Sequence, residues 1–154
     1  MIRLIKPKYN DLIFRQELLY DPDSMSYNKK YGGTIDFPKE KWENWYDRWI
    51  INPNKKFYRY IYDINTDRFV GEVCFQYDNE FDCYVCGMIV KDCYRGLGFG
   101  REGLLALLNE ANKLGITEVY DNIAIDNSSI NLFIKCGFKE EYRNDEFIMM
   151  KKVL

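Results

Sequence analysis

The run Arg95-Gly96-Leu97-Gly98-Phe99-Gly100 constrains this chain more than any other stretch. Three glycines alternate along it. Before it lies "DCYVCGMIV", residues 82–90, with strand character, and after it "GREGLLALLNEANKLG", residues 100–115, with apolar residues at helical spacing. A strand that passes through a glycine loop into a helix leaves free N–H groups at the helix start. Glycine adds unusual φ values and lets an anion approach the backbone. Two anion-binding patterns overlap here. Gly98-Phe99-Gly100-Arg101-Glu102-Gly103 spells GxGxxG, the dinucleotide fingerprint, and Arg95 to Gly100 spells RxxGxG, a pyrophosphate loop.

The rest of the chain separates the two. Ile2-Arg3-Leu4-Ile5 reads as a short strand ended by Pro7, and Asn10 or Asp11 caps a helix through "LIFRQELL". A long Pro/Asp/Ser/Gly-rich loop follows, of the kind that often carries function. Pro38 opens a second helix that places Trp42, Trp45 and Trp49 on one face. Phe57–Ile64, "FVGEVCFQY" and "DCYVCGMIV" form three strands joined by short turns, an antiparallel meander. Beyond the glycine loop come a helix ended by Gly115, the strand "EVYDNIAI", a short helix capped by Asp126, and a closing hairpin turned at Asn144-Asp145. The predicted order is β-α-α-β-β-β-α-β-α-β-β, an α/β chain of the α+β type with a mixed, mostly antiparallel sheet. A dinucleotide fold needs more parallel units than the residues after Asp126 supply. The RxxGxG register therefore fits better, and a pyrophosphate held this way is what coenzyme A requires. In that register Arg95 supports the turn or pairs with phosphate.

Composition narrows the chemistry further. At 154 residues the chain suits one domain, 1–154. It has no histidine, which removes Ser-His and Cys-His nucleophile pairs and the imidazole base. Five cysteines follow no disulfide spacing. Cys83 and Cys86 spell CxxC, but within a strand their thiols point to opposite faces, so no metal site is expected. No apolar leader or membrane-length segment is seen, and the expected location is cytoplasmic. The net charge of −2 and the lack of a basic stripe argue against nucleic acid as a partner. Acids cluster from Asp63 to Asp92, either as solvated hairpin turns or as a rim that attracts cations.

The element order and "IVKDCYRGLGFGREGLLALL" resemble the GNAT superfamily of acyl-CoA-dependent N-acyltransferases. So does "DNSSINLFIKCGF", residues 126–138, where Lys135, Gly137 and Phe138 match the family stretch N-x-x-A-x-x-L-Y-x-K-x-G-F. Asp126, Ser129 and Phe133 stand where that stretch has Asn, Ala and Tyr. The resemblance implies an N-acetyltransferase that uses acetyl-CoA and acts on an amine of a small molecule or a protein. It is compatible with a monomer or a homodimer. It also implies a split sheet, with the pantetheine arm beside Met88, Ile89 and Val90. The diphosphate would lie on Arg95, Gly96, Leu97, Gly98, Phe99 and Gly100, with Arg101 close by. Asn127, Ser128 and Phe133 complete the implied cofactor contacts. The alternative is an acyl-CoA-binding sensor without catalysis.

Acetyl transfer needs a neutral amine. An amine of pKa ~10.4 is neutral in only about one part in 2,500 at pH 7, a handicap of about 4.6 kcal/mol. Glu72, mid-strand in "FVGEVCF", is the expected base, because a carboxylate among apolar strand residues has the basicity this step needs. The expected acid at the leaving thiolate is absent, since Phe133 has no hydroxyl. Tyr142 and Tyr94 are the candidate replacements. Tyr27, Tyr31, Trp42 and Trp45 are the aromatic residues expected to shape the acceptor pocket.

Overall fold

A computed structural model describes residues 1–154. The elements are β1 (Ile2–Ile5), α1 (Leu12–Tyr20), α2 (Trp42–Tyr46), β2 (Lys56–Asp63), β3 (Arg68–Asp78), β4 (Cys83–Val90), α3 (Phe99–Lys113), β5 (Glu118–Ala124), α4 (Ile130–Lys135), β6 (Lys139–Arg143) and β7 (Phe147–Val153). Their order is the one expected. Differences are local. The α2 segment begins with a 3-10 turn after Pro38 and ends in a widened π turn, Asp47–Ile51. The long loop holds a 3-10 helix, Ser26–Tyr31, and buries Met25 completely. Asp126 does not cap α4. That helix starts at Ile130 with Ser129 at its N-cap, because Asn127 turns the chain first by accepting the Ser129 N–H at 2.9 Å.

All seven strands join one sheet in the order β1-β2-β3-β4-β5-β7-β6. Every neighbouring pair is antiparallel except β4 and β5. Those two run parallel and share a single register pair, Val85 with Tyr120. The dinucleotide reading fails here, since its βαβ units would stack parallel strands on both sides of the loop.

Each face of the sheet carries its own core. On one face Ile61, Val73, Phe75, Cys86 and Val90 pack with Leu104, Leu107 and Ala111 of α3 and Phe133 of α4. On the other, Tyr58, Tyr60 and Ile89 pack with Leu12, Leu18 and Leu19 of α1 and Trp42 and Trp45 of α2. Strand alternation sends successive side chains to opposite cores. Gly71 is required for a different reason. A Cβ there would lie 2.4 Å from the Ile89 carbonyl oxygen of the paired strand. Gly71→Ala is expected to cost about 1–3 kcal/mol or more, because the obstacle is backbone rather than a movable side-chain tip. A urea unfolding midpoint checks this, and an unchanged midpoint would refute it.

Candidate active site

The glycine loop is open where an anion would sit. After β4 a short 3-10 turn, Asp92–Tyr94, redirects the chain. Gly96 and Gly98 then adopt φ of +79° and +92°, values that L side chains rarely tolerate. Gly98 is the N-cap of α3, and the first helical bond runs from the Glu102 amide to the Gly98 carbonyl at 3.1 Å. The amides of Gly96 through Arg101 find no protein acceptor. A Cβ at Gly96 or Gly98 would meet nothing within 4 Å, so the space in front of the loop is open. Successive free amides at the positive end of a 15-residue helix fit the two phosphates of coenzyme A. Leu97 is exposed at the loop tip, Phe99 tucks against the core, and Arg101 lies exposed on the first turn.

Arg95 takes the first of its two expected roles. Its Nε donates to the Val90 carbonyl at 3.0 Å and its Nη2 to the Ser24 carbonyl at 2.8 Å. Nη1 reaches the Asp23 carbonyl and Asp92. The side chain thus ties the loop to the segment after α1, and the backbone amides are left to hold the anion.

Beyond Val85 the edge of β4 that faces β5 has no strand partner. Met88 and Val90 send their side chains to the α3 core and Ile89 to the other, so only their backbone borders the split. A free strand edge can pair with an extended amide-bearing arm such as pantetheine. Ser128 is exposed and Asn127 half-buried at the turn into α4. Phe133 is buried, 4.9 Å from the Phe138 ring centroid.

Glu72 is buried mid-strand as expected, but its surroundings are not apolar. Arg15 of α1 donates through Nη1 to both carboxylate oxygens, at 2.8 and 2.7 Å, and the Tyr58 hydroxyl also donates to Oε2. The Arg15 guanidinium lies 4.6 Å from the Trp45 ring and 5.1 Å from the Phe37 ring. Burial alone would lower the Arg15 pKa, but the pull of Glu72 and Tyr58 outweighs it and raises it. Tyr58 is held well above its ordinary value by burial and then by Glu72. The carboxylate is tied to Arg15 and Tyr58 rather than left free among apolar side chains. The argument for Glu72 as a free base rested on sequence neighbours, and the fold replaces them with partners from other elements.

The aromatic residues separate. Trp42 and Trp45 are packed in the core rather than lining a pocket, with Trp42 Nε1 donating to the Phe37 carbonyl at 3.0 Å. Tyr31 is exposed on the loop. Tyr27 has an exposed ring, yet burial and then Glu72 and Cys74 push its hydroxyl up to about 12. Tyr94 packs against the α3 core. Tyr142 lies opposite Met149, on the face away from α3 and Phe133. It cannot approach a leaving group from the Phe133 side.

Two groups were missed in the sequence. Arg15 gives no local signal, because its partner is 57 residues away. Asp121 gives one. It falls between Val119 and Ile123 on the apolar side of a strand, half-buried, and desolvation pushes its carboxyl up to about 7. On the opposite face of the sheet, a cavity of about 280 Å³ is lined by Phe81, Asp82, Glu118, Tyr120, Glu141 and Tyr142, among others.

Residues 1–139 match the family model of the acetyltransferase (GNAT) domain. A search of the curated proteins gives no match. Among solved structures, the spermidine N-acetyltransferase from Vibrio cholerae in complex with CoA and spermine aligns with a TM-score of 0.81 at 20% identity, covering 99% of this chain and 95% of that one. A GNAT-family acetyltransferase from Bacillus anthracis gives 0.76 at 16% identity, covering 99% and 94%. A domain from Methanocaldococcus jannaschii gives 0.76 at 22% identity, covering 100% and 99%. These likenesses are to the fold. The family match covers most of the chain and joins an amide-lined anion loop to a split between β4 and β5: the chain belongs to the GNAT acetyltransferases, as an acetyl-CoA-dependent N-acetyltransferase.

Proposed function

We propose that the acceptor is a small polycationic amine, acetylated at a terminal primary nitrogen. The observation that carries this is the acidic cavity at the closed end of the split. Tyr120, which pairs with Val85 at that end, also lines the cavity. Asp82, Glu118 and Glu141 give it negative charge, and Tyr120 and Tyr142 give it aromatic walls. A chain with ammonium groups spaced along an apolar backbone suits such a lining. The Vibrio cholerae relative is described in complex with spermine, which agrees in chemistry.

The residues divide the work as follows. The amides from Gly96 to Arg101 hold the diphosphate, and the β4 edge at Met88 to Val90 aligns the arm. A backbone N–H of the split strand faces the developing oxyanion, where one donor is worth about 10²–10³ in rate. Glu72, fixed by Arg15, contributes negative charge on the α1 face of the sheet and favours approach of an ammonium. Water removes the amine proton. Five free thiols fit a reducing, cytoplasmic setting. No helix is long and apolar enough to cross a membrane.

The test is thiol release from acetyl-CoA with spermidine, spermine, a simple monoamine and a lysine-containing peptide. The polyamines are expected to have kcat/KM at least about tenfold above the monoamine, with the advantage shrinking as salt rises. Equal rates with the monoamine, or release with the peptide alone, would overturn the acceptor assignment. Calorimetry with coenzyme A and with NAD runs beside it, and only coenzyme A is expected to bind.

A further inference from the structure

Asn122 stands exposed in the middle of β5, a position that strands seldom give to asparagine. Register fixes where it lies. Val85 and Tyr120 are the single pair between the parallel strands β4 and β5, and two residues further along each strand come Gly87 and Asn122. Side chains two apart share a face, so Asn122 lies on the Tyr120 side of the sheet, about 6.6 Å beyond it. Tyr120 lines the acidic cavity, and so does Met149, the cross-strand partner of Asn122. Across the split, Gly87 pairs with Cys74, which packs against the core under α1 and α2. A Cβ at Gly87 would meet only the Cys74 Sγ, at 3.4 Å. On this face β4 is therefore bare at the level of Asn122, between Val85 and the buried Ile89. A polar side chain and a gap thus face each other where the two strands begin to part.

The same level is where the cofactor has to end. Its arm enters from the amides that begin at Gly96 and follows the free edge of β4 past Val90 and Met88. It cannot pass Val85, because β5 closes that edge by pairing. Three residues separate Val90 from Gly87, about 10 Å of strand, which an extended pantetheine chain spans. Helices α3 and α4 cover the other face, so the open approach to the thioester is over Gly87. We propose that the Asn122 carboxamide holds the acceptor nitrogen against the thioester, and that Gly87 is the gap through which that nitrogen reaches it. A neutral primary amine has two N–H bonds and one lone pair. Donating one N–H to the Asn122 Oδ1 leaves the lone pair free to attack and limits rotation of the nitrogen. The lone pair forms the C–N bond, and the C–S electron pair leaves with sulfur. The acylated nitrogen gives its extra proton to water, and the sulfur takes a proton from water. An uncharged amide suits this step, since a carboxylate would favour the ammonium form.

The proposal rests on acetyl-CoA in the split but not on a polycationic acceptor, because every primary amine presents the same nitrogen. Initial rates with acetyl-CoA are therefore measured in parallel for spermidine and a simple monoamine. Asn122→Ala is expected to lower kcat/KM by about 3- to 10-fold, the worth of one hydrogen bond, and equally for both amines. Its coenzyme A affinity and urea midpoint are expected to match wild type. Asn122→Asp is expected to lower KM for the amine while lowering kcat below that of Asn122→Ala, because a carboxylate binds the ammonium and keeps it protonated. A merely structural role would move the midpoint and would not part KM from kcat in this way. Gly87→Val is expected to cut kcat by about 100-fold with both amines, by holding the nitrogen off the carbonyl carbon, while coenzyme A still binds. Full kcat/KM in Asn122→Ala, or an Asn122→Asp protein in which KM and kcat do not part, would overturn the role. Equal wild-type rates for the two amines, with Asn122→Ala slowing both, would overturn the acceptor class and support this role. Wild-type protein that binds no coenzyme A, or that acetylates neither amine, would remove the reaction and the role with it.

Discussion

Gly98→Val is expected to reduce coenzyme A affinity by at least about 100-fold, or about 2.7 kcal/mol. Two effects add. Gly98 has φ of +92°, a conformation that a β-branched residue adopts only with strain of about 1–3 kcal/mol. The new side chain also projects into the open space in front of the free amides, where no protein atom lies within 4 Å of its Cβ and where the diphosphate is proposed to sit. Relief of the strain would rotate the peptides at the start of α3 and turn the amides of Phe99 to Arg101 away from a common centre. The rest of the helix is buttressed by Leu104, Leu107, Leu108 and Ala111 in the core, so the fold is expected to survive. Calorimetry measures the affinity, and circular dichroism confirms the helix. A folded Gly98→Val protein with wild-type affinity would show that the loop does not hold the cofactor.

Glu72→Gln is expected to destabilise the protein by about 3–5 kcal/mol. The carboxylate neutralises a guanidinium buried against Trp45, Phe37 and Tyr58, and no other acid is paired with Arg15. Gln leaves that cation uncompensated. Replacing both partners, Arg15→Met with Glu72→Leu, removes the buried charges together and is expected to recover most of the loss. Urea midpoints of the two single variants and the double variant test the coupling. This outcome also separates the two readings of Glu72. A free base would lose rate and keep stability, whereas the tied carboxylate described here loses stability first. A Glu72→Gln protein as stable as wild type, with a displaced pH–rate profile, would restore the base assignment.

Asp121 predicts the opposite sign. Its folded-state pKa of about 7 lies above the ordinary carboxyl value of 3.8. Its contribution is therefore fully present below about pH 4 and is lost as pH rises toward 7. Asp121→Asn is expected to melt higher than wild type at pH 8, with the difference vanishing near pH 4. A constant difference across that range would mean that the carboxyl does not titrate as described.

The sequence by itself determined the order of elements and the glycine loop. Both depend on neighbours along the chain. Alternation in "FVGEVCF", capping by Gly115 and the free amides of a helix start are set within a few residues. The contrast between "RGLGFG" and its flanks was accordingly legible, as was the meander that excluded a dinucleotide fold. Tertiary structure decided the rest. The width of the split depends on how little β4 and β5 pair, which no local pattern records. Glu72 read as a base among apolar neighbours until Arg15 and Tyr58 arrived from α1 and β2. The tryptophan stripe had the spacing of a pocket wall and of a core alike, and packing against β2 made it core. Asp121 stood in plain view on the apolar side of "EVYDNIAI", but its pKa comes from the strands and helices that enclose it. Local conformation follows from local sequence, whereas burial and charge pairing are sums over parts of the chain that only folding brings together.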